Sequence, residues 1–409
     1  MSSQKIKDLF HTYIGHLLVI GFLVGGYVYN IKFIQVGIPY LGKQVLHVDT
    51  TTMGIDMALL AIITAVIAIA WGFRADKLHL TIRKRIDILI IVGIVQMVLT
   101  AWAWFMIDPS QLLPWIVCTS IVLGIGIPVS FPLVFELIPR KDRGIVAGLT
   151  AGLAFFVGNI SPFPWTIAGL AQEALMMMVP GLAAFVVIRL LGFIAKWFPE
   201  KNDYSNYTGR FTSHSISWVV GLMFAIFFVD SLGFLRILAE PTLYIQTWAA
   251  PVETRWILGV VHLFAGIGAG ILYAKSDEWK EGILALVLFI IADIAFSFYL
   301  PPPLMSSDVV LTIASLYCAT VSIYTAINFA IWADLSTHEN ATKIAALGIG
   351  IGGWLSSFLS TTAAELLEPA VTFQVHLLLP AIISAVMLVL VIYLLKCKRE
   401  LILGKTSGG

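Results

Sequence analysis

Asp56, Asp230, His262 and Asp293 are ionisable side chains set well inside long apolar runs. A charged or titratable group in hydrocarbon surroundings is costly unless it is paired or wetted, so each is suspected of function first. Carboxylates and an imidazole can take up and release protons. With a reference pKa of about 6.5, His262 is the most responsive of the four, and a carboxylate beside it would make a proton-carrying pair. Arg189 lies near the polar end of its own apolar run and can snorkel out. Hydrolytic or metal chemistry needs other patterns. His11, His16, His47 and His376 are scattered and show no His-Glu-x-x-His spacing, and no stretch matches a Walker nucleotide loop. Cys118, Cys318 and Cys397 have neither metal-site nor disulfide spacing. The chain therefore reads as no enzyme, with no metal and no cofactor.

The elements that must position these groups follow from composition. Of 409 residues, 59% are hydrophobic and 12% charged, about half the charge of a soluble domain. Too little polar surface remains for a water-soluble protein, and a bilayer is the expected environment. One span takes roughly 20 apolar residues, and the apolar runs divide the chain into twelve helices. The fifth, about 144–168, contains Pro162 and Pro164, and the fourth contains Pro128 and Pro132. A net charge of +1 leaves no basic surface for nucleic acid.

Orientation follows from the basic residues. With the N-terminus inside, the inner segments hold 20 of the 25 Lys and Arg, a clear positive-inside bias that puts both termini in the cytosol. Lys32, Lys43, Arg236 and Arg255 fall to the outer side. The polar stretch from Phe198 to Ser215 separates two halves. The division expected is a first six-helix bundle over 1–196, a cytosolic linker over 197–212 and a second bundle with a short tail over 213–409. A shift of 198 positions lays Glu136–Gly152 over Asp334–Gly350 and pairs Gly72 with Gly270, as a parallel internal repeat would. The fold class expected is all-α: twelve transmembrane helices in two pseudo-symmetric bundles.

The loop after the second span reads Gly72-Phe73-Arg74-Ala75-Asp76-Lys77, followed by Arg83-Lys84-Arg85. With the run Glu136-Leu137-Ile138-Pro139 and Arg143-Gly144 after the fourth span, it resembles the major facilitator superfamily. The match is partial: His79 stands where that pattern has its second Gly. The resemblance implies a secondary transporter working by alternating access, with a small polar or amphipathic solute as partner, a proton as coupling ion, and a monomer in a bacterial or archaeal inner membrane. A multidrug exporter's Gly-Pro pattern is missing from the fifth span, which favours import over export. An exporter, a passive facilitator and a non-transporting scaffold are the alternatives.

The resemblance also implies a cavity lined by spans 1, 2, 4, 5, 7, 8, 10 and 11. That makes Asp56, Asp230 and His262 the proton-coupling candidates and sets Asp293, on span nine, aside as a structural partner. Tyr27, Asn30, Asn159, Tyr317, Tyr324, Asn328 and Trp354 are candidates for the solute, since amides and phenols orient polar groups and rings supply apolar walls. Gly72, Asp76, Lys77, Arg83, Glu136, Arg143 and Asp334 would form a cytosolic gate in which carboxylates latch onto bases of the neighbouring half.

Overall fold

The structure is a computed structural model that describes residues 3–190, 209, 216–275, 278–300 and 304–397. All of the expected linker except Gly209 lies outside the described residues, as does the tail beyond Cys397. Among the described residues the regular structure is helical throughout. Eleven helices are long and apolar enough to cross a bilayer: α1 (Ile14–Val45), α2 (Thr50–Lys77), α3 (Ile82–Trp104), α4 (Pro109–Leu137), α5 (Arg143–Ile160), α6 (Ile167–Leu190), α7 (Ile216–Ala239), α8 (Val252–Lys275), α10 (Ser307–Asp334), α11 (Ala341–Leu367) and α12 (Phe373–Cys397). Between them α9 (Glu278–Ser297) runs 20 residues, about 30 Å of helix.

Local chemistry sets the helix ends. Asp49 opens α2 by accepting from the Thr52 amide at 3.0 Å and its hydroxyl at 2.6 Å, and those bonds hold its carboxyl below the usual carboxylate range. Thr81 caps α3 in the same way. α5 ends at Ile160 rather than running through two prolines, because the residue before a proline is pushed out of the helical region. Ser161 obeys, with ψ at 130°, and Pro162 and Pro164 lie in a loop. Pro128 by contrast stays inside its helix.

Burial separates central helices from peripheral ones. The apolar window of α11 is 78% buried and that of α6 only 28%, leaving Met176, Val179 and Val187 to face lipid. The two halves meet along glycine seams. A methyl group at Gly144 would lie 2.6 Å from the Gly270 carbonyl oxygen, and one at Gly266 would lie 2.6 Å from that of Gly148. Only backbone fits between α5 and α8 at this spacing. Gly72 of α2 meets Thr342 and Ala346 of α11. Offset by 198 positions, those three residues become Gly270, Gly144 and Gly148, so both seams are one contact used twice.

The turn after α2 carries a testable strain. His79 has φ of 45°, in the left-handed region, at the position where the resembled pattern has glycine. An L-residue there costs roughly 1–2 kcal/mol, partly offset by the greater chain entropy that glycine loses on folding. His79→Gly is therefore expected to stabilise the protein by about 1 kcal/mol. A thermal midpoint that falls on this substitution would show that the imidazole itself holds the turn.

Candidate functional site

Two adjoining cavities lie where the halves face each other. The larger, of about 140 Å³, is lined by Tyr27, Asn30 and Gln35 of α1, Phe131 of α4, Asp230 of α7, Tyr324 and Asn328 of α10, and Trp354 of α11, among others. A neighbouring space of about 70 Å³ is bounded by Lys32, Asn159, Trp165, Trp248, His262 and Tyr317. A single water needs roughly 10–15 Å³, so the larger cavity has room for several waters or a small solute. Tyr27, Ile31, Gln35 and Asp230 line both.

Asp230 is the carboxylate that the two spaces share. The Tyr317 hydroxyl donates to its Oδ1 at 2.8 Å, and the Tyr324 hydroxyl donates to Oδ2. Both tyrosines project from α10, spaced seven residues apart, two turns on one helical face. Bonds across the boundary between halves adjoin this group. Gln35 Nε2 donates to Ser231 at 2.8 Å, and the Tyr27 and Thr325 hydroxyls are 3.0 Å apart. Two wide-turn π-helical segments, Tyr29–Gly37 in α1 and Ala346–Leu355 in α11, supply cavity residues from opposite halves. Such segments occur often at functional sites because they re-aim side chains locally.

Of the remaining solute candidates, Asn30 and Trp354 line the larger cavity with a polar atom lacking a hydrogen-bond partner, Oδ1 in the first and Nε1 in the second. Asn328 also lines it, but its Oδ1 already accepts from Trp332 at 2.9 Å. Asn159 reaches the smaller space, donating to the Phe155 carbonyl at 2.9 Å.

The proton candidates part company here. His262 lines the smaller cavity, but the carboxylate expected beside it is not its partner: Nδ1 meets the Ser322 hydroxyl at 2.8 Å, and the ring stacks on Phe155 at 4.5 Å. Asp56 is buried near one end of α2 and lines neither cavity. Depth along a helix can be read from sequence, but rotation cannot, and each residue turns the side chain by about 100°. Asp293 was set aside as a structural partner rather than a solute ligand. Neither of its carboxyl oxygens has a hydrogen-bond partner.

At the end rich in Lys and Arg, the halves are latched. Arg143 of α5, with no exposed surface, donates to Asp334 of α10 at 2.7 Å and to the carbonyls of Ala333, Phe135 and Ile138. The Tyr273 hydroxyl donates to the other carboxylate oxygen of Asp334 at 3.0 Å. Asp76 accepts from the backbone amides of Thr342 and Lys343 at 3.0 and 2.8 Å, a carboxylate at a helix N-terminus where charge and geometry both favour it. The latch thus runs partly through main chain, where base-to-acid pairing was expected. The base that bridges is Arg85, at 3.0 Å from Glu136 and 2.9 Å from Thr342; Arg83 and Lys77 are exposed and belong to no ion pair among the described residues. The opposite end has its own bridges, Lys43 to Glu365 at 2.7 Å and Thr362 to the Gly54 carbonyl at 3.0 Å.

Residues 2–166 match the model of the Major Facilitator Superfamily. Over nearly the whole chain the structure is similar to FucP, a transporter of that superfamily solved in the outward conformation: TM-score 0.62, 14% identity, covering 95% of this chain and 99% of that one. The N-terminal segment thus matches that superfamily in sequence, and the whole chain shares its fold. A variant of the E. coli fucose:proton symporter FucP gives a TM-score of 0.59 at 14% identity, over 95% of this chain and 99% of that one. The human organic anion transporter MFSD10 gives 0.56 at 13% identity, over 94% and 100%. No curated protein has significant sequence similarity to the chain. With its long apolar helices, the molecule has the fold of a multi-pass membrane protein.

Within that superfamily fold the sequence reading missed a buried ion pair. Lys32, counted with the outer segments, lies in the π-helical part of α1. Its ammonium is 2.5 Å from Glu173 of α6, 3.0 Å from the Gly158 carbonyl and 5.0 Å from the Trp165 ring centroid. A Lys within an apolar run was the available signal. Gln35 was likewise missed; an amide three residues further along the same run was its only mark.

Proposed function

We propose that this protein is a secondary transporter that imports a small polar or amphipathic solute in symport with protons, by alternating access, and that Asp230 is the coupling carboxyl. One observation carries the reading: Asp230 borders both cavities at the contact between halves, in bond with two tyrosines that also face the solute space. A solute entering beside Tyr27, Gln35 and Tyr324 competes with bonds that hold the carboxylate, so occupancy and protonation are linked. Ring faces of Tyr27, Phe131 and Trp354 suit an apolar or sugar-like surface, while Asn30, Gln35 and Asn328 suit hydroxyls. His262 stands as a positioning group on the smaller cavity, and Asp56 as a secondary candidate. Likeness to a fucose:proton symporter is a likeness of fold, which supports the mechanism class and leaves the solute open.

The proposal extends to setting. Termini on the cytosolic side, with a cytosolic linker between bundles over 1–196 and 213–409, accord with the positive-inside bias; a functional monomer in a bacterial or archaeal inner membrane is part of the same proposal, from the family resemblance. The gate of Gly72, Asp76, Glu136, Arg143 and Asp334 then closes the cytosolic side, with Arg85 in the role expected of Arg83. Uptake of a mixed metabolite pool into proteoliposomes, with and without an inside-alkaline gradient, tests the reading. Gradient-dependent accumulation of one solute class is the expected result. Equilibration indifferent to the gradient would make the protein a facilitator, and expulsion of solute to below its outside concentration, driven by that gradient, would make it an exporter.

A further inference from the structure

Asp293 is a buried group that the reading above does not use. It lies on α9, with no exposed surface, and neither carboxyl oxygen has a hydrogen-bond partner. An ionised carboxylate left without donors in such a site is strongly disfavoured against the neutral acid. The surroundings are specific. Phe289 and Phe296, one turn to either side on α9, pack their rings on Tyr317 at 5.6 and 6.1 Å, so Asp293 shares the α9 face that holds the Tyr317 ring. Tyr317 is the residue that donates to Asp230. Gly233 of α7 lies between: a methyl group there would be 3.0 Å from Asp293 Oδ1 and 3.5 Å from the Tyr317 hydroxyl. The lack of a side chain at this position leaves those two polar groups facing a common gap.

We propose that Asp293 is a second proton-binding site, exchanging its proton with Asp230 through the Tyr317 hydroxyl. The step balances as a relay. The Asp293 acid proton passes to the Tyr317 oxygen as the phenolic proton passes to Asp230 Oδ1, and Tyr317 ends as it began. A turn of the Asp293 carboxyl into the Gly233 gap makes the missing bond. Several titratable groups on the neighbouring helices are engaged elsewhere, His376 of α12 with the Leu232 carbonyl, Arg236 of α7 toward Glu368, Tyr324 with Oδ2 of Asp230 and His262 of α8 with Ser322, and Cys318, beside Tyr317 on α10, is a buried free thiol. A store beside the coupling carboxyl, on a helix away from the solute, lets Asp230 be reloaded without a water path through the cavity.

This inference rests on proton coupling at Asp230, and its test separates the two. Infrared spectroscopy of the purified full chain at neutral pH is expected to show a protonated-carboxyl carbonyl band that Asp293→Asn removes and Asp293→Glu shifts. In proteoliposomes, Asp293→Asn is expected to slow gradient-driven accumulation about tenfold or more while solute exchange without a gradient continues, and Gly233→Ala, which fills the gap, is expected to do the same with the band retained. A spectrum in which neither substitution moves a carboxyl band would overturn the inference whatever the transport result. So would an Asp293→Asn variant that accumulates solute at the parental rate. Failure of Asp230→Asn to uncouple transport, with the band intact, would instead count against the coupling role of Asp230.

Discussion

Asp230→Asn is expected to abolish concentrative uptake while sparing exchange. Each proton carries about 1.4 kcal/mol per pH unit, so one-proton symport of an uncharged solute can concentrate it roughly tenfold per unit of gradient. With the carboxyl replaced by an amide, that ratio is expected to fall to about one, the value for mere equilibration. Asn keeps the size of Asp and can still accept from Tyr317 or Tyr324, so the helices around it should hold. Counterflow of labelled solute in the absence of a gradient checks this. Loss of counterflow together with accumulation would assign Asp230 to solute binding, and retention of both would remove it from the mechanism.

The second large effect belongs to Arg143 and Asp334. Removing one member of a buried, hydrogen-bonded ion pair costs about 3–5 kcal/mol, because the other charge is left uncompensated. Arg143→Met should therefore both lower thermal stability and favour the conformation in which this end is open. Asp334→Asn should do so less, since an amide still accepts from Tyr273. A cysteine placed at Ser130, which lines the larger cavity, reports the opening in a background with Cys118, Cys318 and Cys397 replaced by Ser. Labelling by an impermeant thiol reagent applied from the basic end is expected to rise at least about tenfold in Arg143→Met, a shift of 1.4 kcal/mol out of the energy lost. Unchanged labelling would mean that the pair stabilises the helices without biasing their arrangement. A double substitution with two apolar residues should recover part of the stability.

Much of this was legible from residue types. Hydropathy gave the helices, and the resemblance of the loops around Gly72, Asp76, Glu136 and Arg143 to the major facilitator pattern, with Asp334 placed by the 198-position repeat, pointed to one end of the molecule. A carboxylate at a helix terminus and an arginine beside a buried acid have few other uses. What escaped was rotation. Asp56 and Asp230 read alike, each about two turns into a span, yet only Asp230 faces the cavities. Arg83 and Arg85 differ by two positions, about 200° around a helix, and that difference sends one to water and the other to Glu136. Lys32 and Gln35 lie where α1 departs from the ordinary turn, so a 3.6-residue period applied to that run aims them wrongly. His262 failed differently: its neighbour is a serine on α10, a helix 60 positions away, and no local pattern records such a meeting.

The glycine seam between α5 and α8 bears on how readily the protein changes state. A joint of bare backbone has no rotamers to freeze and no knobs to lift out of holes. Tilting one half against the other along it therefore exchanges one set of weak contacts for a nearly equivalent set, and the seam itself prefers neither orientation strongly. The balance then falls to the polar bridges, at the two ends Arg143 with Asp334 and Lys43 with Glu365, and beside the cavities Gln35 with Ser231 and Tyr27 with Thr325. The bridges at the ends lie away from the solute, so selection could retune the resting state there without touching the pocket.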